Sequence, residues 1–204
     1  MKNDEVLNSV THMVGAALAL AGLIVLVVSA AQRGDAWRVT GFSIYGATLF
    51  LLYLSSSLYH CTSGRAKQIF RIFDHQSIYL LIAGTYTPYT LVPLRGAWGW
   101  SIFGVVWGLA VFGIILEVVN GKGRRLPQLV IYLLMGWLIM IAMKPLLAAL
   151  PFWGVAWLLI GGVFYTSGVA FYVMSRRFPY FHGVWHLFVL AGSVCHYFSV
   201  LFYV

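Results

Sequence analysis

The sequence predicts an all-α integral membrane protein, a bundle of seven transmembrane helices. Of its 204 residues, 61% are hydrophobic and only 9% are charged, and the apolar residues form long uninterrupted runs. A soluble domain has about 45–50% apolar and about 25% charged residues, so this chain cannot cover its surface with polar groups. The composition therefore excludes a soluble globule, a disordered segment and a nucleic-acid-binding domain, although the formal net charge is +8.

Seven apolar runs are long enough to cross a bilayer as helices. A hydrocarbon core of about 30 Å requires about 20 residues at a rise of 1.5 Å per residue. Membrane strands would instead alternate every second residue. We expect one transmembrane domain over residues 1–204, with helices at 11–31, 39–60, 75–93, 99–119, 128–148, 153–175 and 183–204.

The basic residues predict the orientation, because lysine and arginine collect in cytoplasmic loops. One side of the membrane would hold the N-terminus and the connections after the second, fourth and sixth helices. Its basic residues are Lys2, Arg65, Lys67, Arg71, Lys122, Arg124, Arg125, Arg176 and Arg177. The other side would hold Arg33, Arg38, Arg95 and Lys144. We therefore expect a cytoplasmic N-terminus, an external C-terminus and residence in the inner cell membrane.

Ionisable side chains inside a membrane are costly, so they are the first candidates for a functional site. In the predicted topology, six such side chains from the first, second, third and seventh helices lie at one level near the cytoplasmic face. His12, Asp74 and His75 would lie at the starts of their helices, and His60 at the end of its own. The six residues are His12, His60, Asp74, His75, His182 and His186.

Three of these histidines have the pattern of a metal site. His182 and His186 are four residues apart, which places both imidazoles on one helix face. With His60 as a third ligand, one tetrahedral position stays open for water, as in catalytic zinc sites. Asp74 would hold and deprotonate that water or act as a fourth ligand, and Ser56 would hydrogen-bond the water or a substrate carbonyl. Two of the histidines with a carboxylate would also suit iron.

The other ionisable residues are expected to have supporting roles. His75 points about 100° away from its neighbour Asp74 around the helix, which indicates packing or an interfacial position. His12 is expected to make a hydrogen bond at a helix end or behind the ligands. His196 would be a hydrogen-bonded residue inside the bundle, and Glu117 would reach the interface from its helix end.

Four segments carry a family resemblance. They are E-x-x-N-x-x-T-H from Glu5 to His12, S-x-x-x-H from Ser56 to His60, Phe73-Asp74-His75 followed by Ala83-Gly84-Thr85-Tyr86-Thr87-Pro88, and H-x-x-x-H from His182 to His186. Together these segments resemble the progestin and adipoQ receptor family, and most closely its bacterial haemolysin III-like branch. The chain lacks the long N-terminal region of the receptor branch, which makes a receptor function doubtful.

The resemblance implies a seven-helix bundle with zinc near the cytoplasmic face. It implies that His60, His182 and His186 are the ligands and that Asp74 and Ser56 lie close to a zinc-bound water. Glu5, Asn8 and His12 would then support the ligands from behind. The family is also similar to alkaline ceramidases, which hydrolyse an amide bond in a membrane lipid.

These observations leave three functional hypotheses. The first is an intramembrane zinc-dependent hydrolase of amide- or ester-linked lipids that serves membrane-lipid homeostasis, with Asp74 as the base. The second is a sensor or regulator of membrane state that has no catalytic activity and holds a structural zinc. The third is a haemolysin-type pore former, which the uniformly apolar helices disfavour. The expected partner is a membrane lipid in each of the first two hypotheses.

Overall fold

The computed structural model describes residues 3–120 and 126–204, apart from the side chains of residues 3, 4 and 120. In this part of the chain there are eight α-helices, one 3₁₀ segment and no strand. The helices are α1 (Asn3–Gln32), α2 (Ala36–Cys61), α3 (Gly64–Leu91), α4 (Ala97–Asn120), α5 (Leu126–Trp137), α6 (Met143–Ala149), α7 (Phe152–Met174) and α8 (Phe181–Tyr203). The 3₁₀ segment, Leu138–Ala142, joins α5 to α6.

Six helical segments within the described residues are long and apolar enough to cross a membrane. The segment Leu126–Ala149, which contains α5, the 3₁₀ turn and α6, counts as one of the six. The other five are Glu5–Gln32, Ala36–Cys61, Ala97–Val119, Phe152–Met174 and Phe181–Tyr203. The helix α3 has 28 residues but a more polar sequence. The predicted all-helical, multi-pass class is confirmed.

Two helices begin much earlier than the sequence predicted, whereas the other predicted spans begin within three residues of their expected starts. The helix α1 begins at Asn3 rather than at residue 11, and α3 begins at Gly64 rather than at residue 75. Apolar runs mark the hydrocarbon region, whereas the helical backbone continues through the polar residues outside it. His12 therefore lies about two and a half turns into α1, and Asp74 about three turns into α3. The predicted positions of these two residues and of His75 at helix starts were wrong.

The helices form a closed ring around an interior cavity. Each helix packs on the next in the order α1, α2, α3, α4, α5, α7 and α8, and α8 packs back on α1. The helix α3 also contacts α5 and α8 across the interior. Residues that face inwards from α3 and α8 are therefore close to each other although they are far apart in sequence.

The distribution of polarity is the reverse of that in a soluble protein. Buried side chains include many hydroxyl groups and imidazoles, whereas large apolar side chains such as Ile115, Val119 and Leu126 are mostly exposed. Tyr53 donates a hydrogen bond to Ser193 and Tyr89 donates one to Ser199, each at 2.7 Å. These bonds between helices suit a lipid environment, where the apolar surface gives little drive for helix association.

Asp35 and Tyr86 determine where two of the helical elements begin or break. Asp35 precedes α2, and its carboxylate accepts hydrogen bonds from the backbone N–H groups of Trp37 and Arg38, as is typical of a residue that caps a helix N-terminus. The hydroxyl of Tyr86 enters the break between α5 and the 3₁₀ segment. It donates to the carbonyl oxygen of Met135 at 2.7 Å and accepts from the N–H of Ile139 at 2.8 Å.

Gly99 lies where α4 begins against the end of α3, and its N–H donates to the carbonyl of Leu94. A Cβ atom at Gly99 would collide with the carbonyl oxygens of Thr90 and Leu94. We predict that Gly99→Ala lowers the melting temperature in detergent, since overpacking of this kind costs about 1–3 kcal/mol. The measurement is the loss of the monodisperse chromatographic peak after heating.

Gly104→Ala is the matched control in the same helix, because a Cβ at Gly104 would meet open space. This variant should melt at the same temperature as the parent or slightly higher, since alanine favours a helix over glycine. Equal melting temperatures for the two variants would contradict the close approach of α4 to the preceding chain.

Candidate metal centre

Three histidines from two helices meet at one end of the ring. His60 lies in the last turn of α2, and His182 and His186 lie in the first two turns of α8. One ligand atom from each of the three lies within 4.8 Å of the other two. The ring centroids of His182 and His186 are 4.6 Å apart. The ring centroid of His60 lies 5.1 Å from that of His186 and 5.3 Å from that of His182. His60 and His186 are buried, and His182 is partly exposed.

The chemistry of these nitrogens fits a bound metal ion. The Nε2 atoms of His60 and His186 are buried and have no hydrogen-bond partner within the described residues. An unpaired buried polar group costs about 1–3 kcal/mol, so two of them side by side require an explanation. Imidazole nitrogens are preferred zinc ligands at about 2.0–2.1 Å, and a tetrahedral ion would hold them about 3.3 Å apart.

Glu5 fixes the orientation of the His60 ring. Its Oε2 atom lies 2.8 Å from Nδ1 of His60, and its Oε1 atom accepts a hydrogen bond from Nζ of Lys67 at 3.1 Å. Because a carboxylate only accepts, the hydrogen of the His60 ring is on Nδ1, and Nε2 is left with a free lone pair. A carboxylate behind a histidine is the arrangement that orients metal ligands in known sites.

The same helix, α1, fixes His186. Thr11 donates its hydroxyl hydrogen to the carbonyl of Leu7 at 2.9 Å, and its Oγ1 lies 3.5 Å from Nδ1 of His186. The backbone of Asn8 lies close to the same ring. Because the hydroxyl hydrogen of Thr11 is used in its bond to Leu7, Thr11 acts as the acceptor towards His186, so the ring hydrogen is on Nδ1 and Nε2 again carries the lone pair. Asn8, one of the three predicted supporting residues, therefore lies at the site.

His12 packs against the cluster. Its ring stacks on His186 with centroids 3.6 Å apart and planes 21° apart, and the ring of Tyr53 meets it edge-on at 5.1 Å. Neither ring nitrogen of His12 has a hydrogen-bond partner in residues 3–120 and 126–204. The hydrogen bond expected of His12 is thus replaced by a stacking contact that restrains the His186 ring.

Asp74 and Ser56 lie beside the three histidines. Both side chains are buried, and the Ser56 hydroxyl lies close to the Asp74 carboxylate. Asp74 is close enough to His60 for an electrostatic interaction. It does not belong to the group of ligand atoms that meet within 4.8 Å in the described part of the chain. This geometry suits a group that acts on a neighbouring molecule better than a direct ligand.

Sequence reasoning missed several partners. Lys67 and Thr11 were not predicted to support the cluster, and Glu117 was expected to reach the interface. Glu117 instead pairs with His75, with Oε1 3.0 Å from Nδ1, and this pair links α4 to α3. The opposite charges of Lys67 and Glu5 could have indicated their pairing. Whether the two side chains meet, however, depends on how α1 and α3 are rotated about their axes.

A cavity of about 490 Å³ runs from the histidine cluster into the ring of helices. His12, Asp74 and His182 line it at the cluster, and His196 lines it further along α8. Most of the remaining wall is formed by apolar and aromatic side chains from α3, α5, α7 and α8. The cavity has the size and character of a site for an apolar or amphipathic ligand.

The ring of apolar helices and its enclosed histidine cluster define an all-helical, multi-pass membrane protein. The chain belongs to the haemolysin III family, because the sequence model described as "Haemolysin-III related" matches residues 1–197. The predicted resemblance to the haemolysin III-like branch is therefore confirmed.

Similar proteins cover nearly the whole chain. It is 44% identical over 201 residues to the "Hemolysin-3 homolog" of Bacillus subtilis (strain 168), which covers 98% of this chain and 94% of that protein. The chain is 43% identical over 202 residues to "Hemolysin-3" of Bacillus cereus, and this alignment covers 98% of the chain and 92% of that protein. The human "Monocyte to macrophage differentiation factor" is 27% identical to the chain over 179 residues, and this alignment covers 81% of the chain and 71% of that protein. The Bacillus relatives are consistent with a bacterial cell membrane.

We predict that Glu5→Gln weakens the binding of Zn²⁺ to the purified protein by about 10- to 100-fold, the usual effect of removing a carboxylate behind a ligand. Glutamine lacks the charge that holds both Lys67 and the His60 ring. Competition with a coloured zinc chelator measures the affinity. Asp35→Asn is the matched control, since it removes a carboxylate at the start of α2. Equal affinities for the two variants would show that Glu5 does not support a metal ligand.

Proposed function

We propose that this protein is a zinc-dependent hydrolase that acts on amide- or ester-linked lipids in the inner membrane and serves membrane-lipid homeostasis. One observation carries the proposal. Three imidazoles, two of them with buried Nε2 atoms that have no partner in the described residues, meet beside a largely apolar cavity that is lined by His182 and Asp74. A lipid can enter such a cavity from the bilayer with its chain along the wall and its carbonyl group near the histidines.

Each residue of the site has a role in this proposal. His60, His182 and His186 would hold the zinc ion, which would supply Lewis-acid polarisation of a carbonyl and lower the pKa of a water molecule to about 7. Asp74 accepts the proton of the attacking water and passes it to the leaving group. Ser56, which is buried beside Asp74, hydrogen-bonds the attacking water or the substrate carbonyl. Glu5, Thr11 and the stacked ring of His12 hold the ligands in place.

The geometry supports this function over the two alternatives. A sensor with a closed, four-ligand zinc would need Asp74 as the fourth ligand, whereas Asp74 is not part of the group of ligand atoms that meet within 4.8 Å in the described residues. A pore former would need a wide polar path, whereas the cavity wall is mostly apolar. The proposed enzyme uses both the histidine cluster and the apolar cavity.

Metal content and turnover together test the proposal. We expect the purified protein to contain about one zinc per chain and His60→Ala to contain almost none. Asp74→Asn should keep its zinc and lose most of its turnover of N-acyl lipids, since general base catalysis contributes about 10²- to 10⁴-fold. Asp35→Asn, the same chemical change far from the site, should keep both.

Two outcomes would contradict the enzyme. Turnover by His60→Ala equal to that of the parent protein would remove the metal from the mechanism. Full zinc content combined with a fall in melting temperature on chelation, and with no turnover of amide or ester lipids, would favour the structural-zinc sensor.

We also propose that the chain crosses the membrane seven times as a single domain, with α3 as the third span, a cytoplasmic N-terminus and an external C-terminus. The excess of basic residues at one end of the helices supports this orientation. The histidine cluster, at the end of α2 and the start of α8, would then lie near the cytoplasmic face.

Cysteine labelling tests this topology. Cys61 is exposed at the end of α2, and Cys195 is buried. We expect a membrane-impermeant maleimide to label Cys61 in inverted vesicles but not in intact cells. Arg33→Cys, in the Cys61→Ser background, should show the opposite pattern. Labelling of both sites from the same side would rule out the predicted crossing by α2.

A further inference from the structure

The far end of the cavity contains a histidine that has no role in the proposed hydrolysis. His196 is ten residues beyond His186 in α8, which places it about 15 Å further along the helix axis. Its side chain is buried and its ring is part of the cavity wall. A buried ionisable residue at membrane depth requires a partner or a function.

One ring nitrogen of His196 has a partner and the other has none. Its Nε2 atom lies 3.0 Å from the carbonyl oxygen of Leu158 in α7. A carbonyl oxygen only accepts hydrogen bonds, so the hydrogen of this ring is on Nε2. Nδ1 therefore carries a lone pair, and it is buried without a partner in the described residues. The ring is therefore held in the tautomer in which Nδ1 can only accept a hydrogen bond, so Nδ1 needs a donor.

The surroundings hold this ring in place. A Cβ atom at Gly161 would collide with the His196 ring, and one at Gly192 would press on the ring of Tyr165. These two glycines allow α7 and α8 to approach closely where His196 lies. The position of the unpaired Nδ1 is therefore set by backbone packing as well as by the bond to Leu158.

The ring of Tyr165, which carries a hydroxyl group, lies next to the His196 ring. The ring centroids of Tyr165 and His196 are 5.3 Å apart, and Tyr165 also lines the cavity. The hydroxyl oxygens of Tyr165 and Tyr53 each lie 2.7 Å from Oγ of Ser193. Whichever of Ser193 and Tyr165 donates in their shared bond, the Tyr165 hydroxyl keeps a further position in which it can donate or accept.

We propose that this end of the cavity is a subsite for a hydroxyl group on the chain of the bound lipid. The hydroxyl donates to Nδ1 of His196 and pairs with Tyr165, displacing slightly the side chains that now shield Nδ1. A plain methylene would leave Nδ1 unpaired, and an ammonium group would bring a charge to membrane depth. The proposal rests on the proposed function in that the lipid is the same ligand, and it narrows the substrate class to hydroxylated chains.

The distance between His186 and His196 along α8 determines where the hydroxyl group of a probe lipid must lie on its chain. A lipid with its carbonyl at the histidine cluster would present a hydroxyl to His196 only if that hydroxyl lies midway along the chain. Suitable probes are 12-hydroxyoctadecanoic acid, 2-hydroxyoctadecanoic acid and octadecanoic acid. Trp137 and Trp185 both line the cavity, so the change in tryptophan fluorescence on titration of the full chain in detergent reports binding.

We expect the parent protein to bind the 12-hydroxy acid about five- to tenfold more tightly than octadecanoic acid, the effect of one satisfied buried hydrogen bond. The 2-hydroxy acid should show no such advantage. His196→Phe keeps a ring but loses the acceptor, and it should abolish the preference. Tyr45→Phe is the control, because it removes a buried hydroxyl outside the cavity wall and should retain the preference.

Several results would overturn the subsite. They are equal affinities of the parent protein for the three acids, a preference that persists in His196→Phe, and no binding of any of the acids. Equal affinities are also the result expected if a buried water molecule is the only hydrogen-bond donor to Nδ1. The comparison of acids in the parent protein decides the matter even if His196→Phe does not fold.

The metal-site variant His182→Ala separates this proposal from the proposed function. If that variant keeps the preference for the 12-hydroxy acid while the parent shows no lipid turnover, the subsite stands and the hydrolase fails. If the parent hydrolyses lipids through its zinc but binds the three acids equally, only the hydroxyl subsite fails.

Discussion

The contact between Nδ1 of His60 and the carboxylate of Glu5 is the interaction on which the candidate site depends. It joins α1 to α2, and through the second carboxylate oxygen it reaches Lys67 at the start of α3. An imidazole in an apolar bundle has two nitrogens to satisfy, and an unpaired one is expensive. By accepting the hydrogen bond from Nδ1–H, Glu5 leaves the Nε2 lone pair of His60 free towards His182 and His186. The helix α1 thus belongs to the site although it supplies none of the three proposed ligands.

The helix α8 is held by polar contacts along its length. Near its beginning, the rings of His182 and His186 meet α2 and α1, and further along, Ser193 and Ser199 accept hydrogen bonds from tyrosines of α2 and α3. Each such bond in a membrane bundle contributes on the order of 0.6–2 kcal/mol. Because the bonds fall on several turns, they fix the rotation of α8 about its axis. That rotation is what directs both histidines of the pair inwards.

The histidine cluster could be predicted from the sequence because spacing and depth are one-dimensional properties. His182 and His186 share a face at any rotation of their helix, and the positions of His60 and Asp74 near the same end of the bundle followed from the alternating direction of successive helices. The contacts of Thr11, Lys67 and Glu117 could not be predicted, since they depend on how neighbouring helices rotate against each other. The early start of α3 was missed because apolar runs report the hydrocarbon region and not the end of the helical backbone.

The cavity owes part of its wall to the break between α5 and α6. A 3₁₀ segment rises about 2.0 Å per residue instead of 1.5 Å, so it lengthens the span and rotates the residues that follow. The hydroxyl of Tyr86 stabilises this break by bonding to groups that a continuous helix would satisfy itself. Trp137 and Ile139, on either side of the break, line the cavity. A straight span would present a different face at this level, so the Tyr86 hydroxyl and the shape of the cavity are linked through the backbone.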